Sequence, residues 1–120
     1  MDPGASGVSQ LSASDLKDRL DRGDTVVVLD VREEHERDFC AIPTPPNATD
    51  LHIPMGQIPA RLDELRAEVG GAPLVVYCHL GMRSMTVANW LVKRGLPVVH
   101  NLDGGIDAWS EAVDPSLPRY

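Results

Sequence analysis

The hydrophobic positions of the chain follow two alternating patterns. Short runs made mainly of β-branched and apolar residues, such as residues 25–30 and 74–78, are typical of parallel strands that are covered on both faces. The segments between them carry apolar residues three or four positions apart, which is the spacing of an amphipathic helix. The pattern therefore predicts strands and helices in alternation.

The predicted elements begin near Leu11, after residues 1–10, which are rich in Gly, Ser, Pro and Ala and which we expect to form a flexible N-terminal lead. The predicted strands cover residues 25–30, 51–53, 74–78 and 98–102. The predicted helices cover residues 13–22, 33–39, 59–69, 84–94 and 106–112. This order indicates an α/β fold in which a mostly parallel sheet has helices on both faces.

Composition limits the chain to one small domain. Its 120 residues, of which 42% are hydrophobic, can bury one core and are too few for two ordinary domains, so residues 11–120 are predicted to form a single domain. A formal net charge of −7 argues against a nucleic-acid or anionic-membrane partner. Two cysteines make neither a disulfide framework nor a metal-binding pair, and no apolar run approaches membrane-spanning length. We therefore expect a cytoplasmic protein.

The segment from Val75 to Ser84 (Val-Val-Tyr-Cys-His-Leu-Gly-Met-Arg-Ser) is the most informative part of the sequence. An apolar strand ends on Cys78, and a short loop with a glycine leads into the next helix. A free thiol is mostly protonated at neutral pH and becomes a good nucleophile when its thiolate is stabilised. The backbone amides at the helix N-terminus, which Gly81 would allow to converge, and the charge of Arg83 would both stabilise a thiolate.

Two details of this segment bear on its function. Ser84 is predicted to cap the helix that follows the loop. In open parallel sheets the functional site lies outside the carboxyl ends of the strands, and Asp30 and Cys78 both occupy such ends. The alternative is that Cys78 is an inert buried cysteine, as many free cysteines are. The combination of cysteine, glycine and arginine at these offsets favours a functional thiolate.

Three segments resemble motifs of the rhodanese family of sulfurtransferases, in the order in which that family has them. The loop Cys78-x-x-Gly81-x-Arg83-Ser84 resembles the family's active-site loop. Residues 29–33 (Leu-Asp-Val-Arg-Glu) resemble its upstream strand-end motif, and residues 102–109 resemble its Gly-Gly-x-x-x-Trp segment. The resemblance implies a rhodanese-like three-layer fold with a five-stranded sheet.

Two further segments bear on the resemblance. Residues 113–120 are similar to the tail of rhodanese domains that are fused to sulfur-carrier-activating enzymes. At residues 40–43, where many family members have Gly-His-Ile-Pro, this chain has Cys-Ala-Ile-Pro and then a longer, proline-rich connection.

The resemblance also implies a reaction. Cys78 would attack the outer sulfur of a small anionic donor, thiosulfate or a persulfide, and would become a persulfide itself. A thiol, cyanide or a sulfur-carrier protein would then accept the terminal sulfur. The substrate-binding loop would consist of His79, Leu80, Gly81, Met82, Arg83 and Ser84. Its amides would hold the persulfide anion and Arg83 would orient the donor, with no metal or organic cofactor.

Two other functional classes fit parts of the pattern. A cysteine-dependent phosphatase or arsenate reductase also needs a thiolate and an arginine, but its loop normally has Cys-x5-Arg spacing, whereas Cys78 and Arg83 are separated by four residues. The shorter loop suits a sulfur atom better than a phosphoryl group. The second alternative is a non-catalytic rhodanese-like binding module, against which the presence of both residues argues.

The remaining polar residues are interpreted as structural. Asp30 and Arg32 are expected to form an ion pair that supports the neighbouring loop. The side chain of His79 is expected to face solvent, and the charged residues 33–38 are expected to form a solvated helix face. Cys40 is a second thiol that would resolve an oxidised nucleophile only if the two sulfurs came within a few ångströms.

Overall fold

The computed structural model describes residues 7–120, which form five strands, five α-helices and two short 3₁₀ turns. The strands are β1 (Ser9–Leu11), β2 (Val27–Asp30), β3 (Thr49–His52), β4 (Leu74–Tyr77) and β5 (Val99–Leu102). The helices are α1 (Ala13–Arg22), α2 (Glu34–Phe39), α3 (Leu62–Val69), α4 (Met82–Lys93) and α5 (Gly105–Ala112). The 3₁₀ turns are Met55–Gln57 and Pro59–Arg61.

The five strands form one sheet in the order β1-β5-β4-β2-β3, and every neighbouring pair is parallel. The predicted α/β class and parallel sheet are therefore confirmed. Strand β4 lies in the centre, and its last residue, Tyr77, pairs with Asp30 at the end of β2. On the other side β4 pairs with β5. The loop that follows β4 is consequently flanked by the ends of two other strands.

Alternate residues of the central strands pack into two separate core clusters, one on each face of the sheet. Leu29 and Val76 pack with residues of α3 and α4. Val28 and Val75 pack with residues of α1 and α5. These four side chains are fully buried. Burial on both faces explains why the sequence of β2 and β4 is continuously apolar instead of alternating.

The boundaries of α1 agree with the sequence prediction because both of its ends are set by local chemistry. The Ser12 hydroxyl accepts a hydrogen bond from the backbone amide of Asp15 at 3.1 Å, which caps the first turn. Gly23 ends the helix with φ = +80°, a conformation that glycine adopts without strain.

Strand β1 was not predicted, and it includes residues 9 and 10 of the supposed flexible lead. Its three residues pair with β5 from Ser9–His100 to Leu11–Leu102. A short edge strand with one buried residue has no apolar run that a sequence pattern detects. Residues 1–6 of the lead lie outside the described residues.

Several other elements begin at different positions from those predicted. Strand β2 begins at Val27, two residues later than expected, and β3 begins at Thr49, two residues earlier. Helix α4 starts at Met82, two residues earlier than expected, and the predicted helix at 59–69 begins with a 3₁₀ turn. No helix within residues 7–120 is long and apolar enough to cross a membrane.

Candidate active site

The sulfur of Cys78 lies at the end of the central strand and faces the first turn of α4. The residue is 1% exposed. Its Sγ accepts hydrogen bonds from the backbone amides of Gly81 at 3.1 Å and Ser84 at 3.3 Å. Two amides at a helix N-terminus thus converge on the sulfur, which is the arrangement that favours negative charge there.

Gly81 gives the loop a backbone shape that brings these amides together. It occupies the N-cap position of α4 with φ = +106°, where a side chain would be strained. A Cβ at this position would also lie 3.3 Å from the backbone nitrogen of Gly104. The predicted capping role of Ser84 was wrong, because Ser84 lies inside the first turn and directs its amide at the sulfur.

A chain of polar side chains continues from the sulfur to the edge of the sheet. The Ser84 hydroxyl lies 3.3 Å from the Cys78 Sγ and donates to Asn101 Oδ1 at 2.6 Å. The Asn101 amide donates in turn to the Gly81 carbonyl at 3.3 Å and to Gln10 Oε1 at 3.1 Å. Because the serine proton is committed to Asn101, a protonated Cys78 is the donor in its contact with Ser84.

Sequence reasoning missed both Asn101 and Gln10. Asn101 is 3% exposed and lies on β5 between His100 and Leu102, and a polar residue within a largely buried strand was the available signal. Gln10 was assigned to the flexible lead. Their role depends on the pairing of β1 with β5, which brings residues 10 and 101 side by side.

The resemblance implies that Cys78 is loaded with sulfur, and we expect Asn101→Ala to slow this loading about fivefold, because the loop glycine loses a hydrogen bond of about 1 kcal/mol that holds its amide toward the sulfur. The measurement is the rate of mass gain under single-turnover conditions. Asn89→Ala, on the exposed face of α4, is the control. Equal rates for the two variants would contradict the role of Asn101.

Arg83 is paired with a carboxylate, which the sequence analysis did not anticipate. Its guanidinium donates to both oxygens of Glu36, at 2.7 and 2.8 Å. Glu36 is 8% exposed, so the interpretation of residues 33–38 as a fully solvated helix face was wrong at this position. The role of Arg83 in orienting a donor stays a prediction, and the structure adds that its charge is paired with that of Glu36.

The ion pair affects the protonation of both partners. The hydrogen bonds from Arg83 lower the pKa of Glu36 to about 2, against the opposing effect of burial. The same hydrogen bonds raise the pKa of Arg83.

The depressed pKa of Glu36 gives stability a defined pH dependence. The pair stabilises the fold fully above about pH 4.5, the ordinary pKa of a glutamate, and loses this contribution as pH falls toward 2. We expect Glu36→Gln to lower the free energy of unfolding at pH 7 by about 2 kcal/mol. This is less than the full pKa shift would correspond to, because Arg83 is partly exposed and solvent screens the pair. Urea unfolding should show this difference shrinking between pH 4.5 and pH 2. The exposed Glu34→Gln should show no comparable difference at any pH.

Tyr120 connects this ion pair to the active-site loop. Its hydroxyl donates to Glu36 Oε2 at 2.8 Å and accepts from Arg32 at 3.0 Å. Its ring stacks on His79 with 3.8 Å between ring centroids and 9° between planes. The expectation that His79 faces solvent was therefore wrong, and its Nε2 is buried with no hydrogen-bond partner among residues 7–120. Burial, together with the neighbouring Glu36, raises the pKa of Tyr120 to about 12.

Asp30 and Arg32 form the predicted ion pair beneath the loop. Arg32 donates to both carboxylate oxygens of Asp30, at 2.9 and 2.8 Å, and both side chains are fully buried. Arg32 also donates to the carbonyl oxygen of Cys40 at 2.7 Å. The Cys40 thiol lies 3.5 Å from the carbonyl of Pro118. Both cysteines are free, and they belong to core clusters on opposite faces of the sheet.

A small cavity of about 150 Å³ opens beside the Cys78 sulfur and is lined by Cys78, His79, Leu80, Met82 and Arg83. Leu80 is 58% exposed and Met82 is 80% exposed, so the mouth of the cavity has an apolar rim. Within residues 7–120, no group of three or more His, Cys, Asp or Glu side chains is placed to hold a metal ion.

Comparison with known proteins identifies the family. A family model described as "Rhodanese-like domain" matches residues 12–112. The chain belongs to the rhodanese family. The matched range includes the upstream strand-end motif, the Cys78 loop and the Gly-Gly segment.

Individual relatives of this rhodanese chain differ in length. "Putative sulfurtransferase YtwF" of Bacillus subtilis is 32% identical over 108 residues, which cover 90% of this chain and 96% of that protein. "Rhodanese-like/PpiC domain-containing protein 12, chloroplastic" of Arabidopsis thaliana is 35% identical over 98 residues, 81% of this chain. The chain spans only 31% of that longer relative.

A solved structure supports the same assignment. The rhodanese-like domain protein from Staphylococcus aureus is 27% identical in sequence and superposes with a TM-score of 0.71. The superposition covers 94% of this chain and 99% of the Staphylococcus chain. The rhodanese-like fold predicted from the resemblance is thus confirmed. The family, together with the name of the Bacillus relative, supports a function of the sulfurtransferase type.

Proposed function

We propose that this rhodanese domain transfers sulfane sulfur from thiosulfate or a persulfide donor to a thiophilic acceptor through a persulfide on Cys78. The observation that carries the proposal is the convergence of the Gly81 and Ser84 amides on a sulfur that lines an open cavity. Such amides stabilise both the attacking Cys78 thiolate and the persulfide anion that forms from it.

In the first half-reaction the Cys78 thiolate attacks the outer sulfur of the donor. A new sulfur–sulfur bond forms to Cys78, and the sulfur–sulfur bond of the donor breaks. The electron pair of the broken bond leaves with the remainder of the donor, as sulfite from thiosulfate or as a thiolate from a persulfide. The cavity of about 150 Å³ has room for the added sulfur and the leaving group.

In the second half-reaction an acceptor attacks the terminal sulfur of the persulfide. The bond between the two sulfurs breaks and its electron pair returns to Cys78 as the thiolate. Cyanide, a small thiol or a sulfur-carrier protein would serve as acceptor. Two separate half-reactions on one nucleophile predict ping-pong kinetics.

The arrangement at Arg83 disfavours the phosphatase alternative. A phosphoryl group needs a cradle for three oxygens and a guanidinium free to bind them. Here Arg83 binds both oxygens of Glu36, and two loop amides face the sulfur.

The test is intact mass under non-reducing conditions, before and after exposure to thiosulfate and to a persulfide donor. We expect the protein to gain one sulfur atom, to lose it again on addition of cyanide, and to gain none as Cys78→Ser. Cys40→Ser, which keeps the nucleophile, should gain the sulfur normally. No gain with either donor would contradict the proposal, and a phosphatase assay on the same sample would test the alternative.

A further inference from the structure

Charge at the mouth of the Cys78 cavity is balanced by a fixed carboxylate. Among the residues that line this cavity, Arg83 carries the permanent positive charge, and Glu36 binds it through two charge-assisted hydrogen bonds. Glu36 also accepts from the backbone amide of Glu33 at 3.1 Å by its own Oε1 and from the Tyr120 hydroxyl at 2.8 Å. The carboxylate is therefore held in place from three directions.

The neighbouring cations are neutralised in the same way. Arg32 is buried against Asp30 at 2.8 Å. Arg37 binds Asp50 at 2.7 Å and lies 3.4 Å from Asp30. None of these guanidinium groups supplies an unbalanced charge to the cavity, so the site attracts anions mainly through the Gly81 and Ser84 amides.

The two donor types make different electrostatic demands on this site. Thiosulfate carries two negative charges, and the sulfite that leaves it carries two as well. A persulfide carries at most one charge on its terminal sulfur, and the thiolate that leaves is singly charged and can take up a proton. An arginine charge that is balanced by a carboxylate attracts both kinds of donor less, and the loss is larger for a dianion than for a monoanion.

From this geometry we propose that Glu36 is a specificity-determining residue that, by neutralising Arg83, directs the site away from dianionic donors and toward persulfides of uncharged organic carriers. This inference rests on the proposed function and narrows its donor class. The exposed Leu80 and Met82 at the rim fit such a carrier, because they offer apolar contact and no charge.

The step with a persulfide donor balances without a further reactant. The Cys78 thiolate attacks the terminal sulfur of R–S–S⁻, the new Cys78–sulfur bond forms, and the donor bond breaks to release R–S⁻. One negative charge remains on the enzyme persulfide and one on the released thiolate. The donor and the released thiolate each carry one negative charge, so this step does not need a group that binds a dianion.

The experiment compares variants that remove one or both charges of the Arg83–Glu36 ion pair. For each variant, sulfur loading of Cys78 is measured by intact mass under single-turnover conditions. The two donors are thiosulfate and the persulfide of 2-mercaptoethanol, whose carrier is uncharged. Glu36→Gln exposes the charge of Arg83, Arg83→Gln leaves Glu36 unpaired, and the double variant restores neutrality. Glu34→Gln, exposed on the same helix, is the matched control for loss of one negative charge.

We expect Glu36→Gln to raise the second-order rate of loading by thiosulfate about tenfold, and Arg83→Gln to lower it about tenfold. The double variant should return to within about threefold of the parent. Loading by the 2-mercaptoethanol persulfide should change less than about threefold across the series, and Glu34→Gln should change neither donor. The gain in Glu36→Gln should weaken as salt is raised.

Other results would contradict the proposed role of Glu36. Glu36→Gln with unchanged or slower thiosulfate loading overturns it, as do equal responses of the two donors. If Glu36→Gln does not fold, Arg83→Gln still decides, because an equal loss with both donors contradicts a charge effect. Failure of both donors to load the parent protein overturns the proposed function, and the inference with it.

Discussion

Cys78→Ser is expected to abolish sulfur transfer, with turnover from thiosulfate to cyanide reduced at least about a thousandfold. A serine oxygen would occupy nearly the same position opposite the Gly81 and Ser84 amides. It cannot form a persulfide, however, so the intermediate on which both half-reactions depend is lost. The measurement is steady-state formation of thiocyanate, together with intact mass after exposure to the donor.

The control for this variant is the second buried cysteine. Cys40 lies on the opposite face of the sheet and contacts Arg32 and Pro118. We expect Cys40→Ser to keep most of its turnover, and the thermal unfolding of Cys78→Ser to stay within a few degrees of the parent. Turnover at the parent level in Cys78→Ser would refute the assignment of the nucleophile, and a large loss in Cys40→Ser would indicate that the second thiol takes part.

Outside the active-site loop at residues 79–84, Gly105→Ala is expected to cause a large loss of both stability and sulfur loading. Gly105 begins α5 with φ = +62°, and its Cα approaches the backbone that follows β4. An added Cβ would lie 2.3 Å from the carbonyl oxygen of His79 and 2.6 Å from that of Cys78. Both are backbone atoms, so relief requires movement of the helix or of the nucleophile's strand end.

The same contact aligns α5 with the active site. The amides of Ile106 and Asp107 donate to the carbonyls of Cys78 and His79 at 3.0 and 3.1 Å. Displacing the helix would lengthen both hydrogen bonds. We expect a loss of about 3 kcal/mol or more in the free energy of unfolding and a more than tenfold loss in sulfur loading of the protein that remains folded.

Urea unfolding and single-turnover loading measure the two effects. Gly71→Ala is the matched control, because a Cβ there would meet nothing within 4 Å and its φ is not positive. The control should differ from the parent by less than about 1 kcal/mol. If Gly105→Ala were as stable and as active as Gly71→Ala, the close approach of α5 to the loop would not matter.

The side chains around the nucleophile form a continuous network of paired charges. Asp30 holds Arg32, Arg32 donates to Tyr120, Tyr120 donates to Glu36, and Glu36 holds Arg83. Buried charges are tolerated when each is paired and hydrogen-bonded, which this arrangement achieves. The network therefore holds the active-site loop in place and also balances the charge of Arg83. The proposed donor preference follows from this charge balance.

The sequence by itself determined the features that depend on neighbouring residues. Both ends of α1 could be predicted because a serine caps it and a glycine ends it. The parallel sheet could be predicted because strands buried on both faces must be continuously apolar. The position of Cys78 followed from the same logic, since a cysteine at the end of a central strand and before a helix meets that helix's free amides.

The tertiary structure alone decided which distant side chains meet at the site. Arg83 and Glu36 are 47 residues apart, and Asn101 contacts Ser84 across 17. Tyr120 reaches Glu36 across 84 residues. No local pattern marks these pairs, because a hydrogen bond between side chains depends on how strands are ordered and which helix faces which loop. For this reason the sequence pointed to Cys78 and its loop, whereas the pairing of Arg83 with Glu36 became visible only in the folded chain.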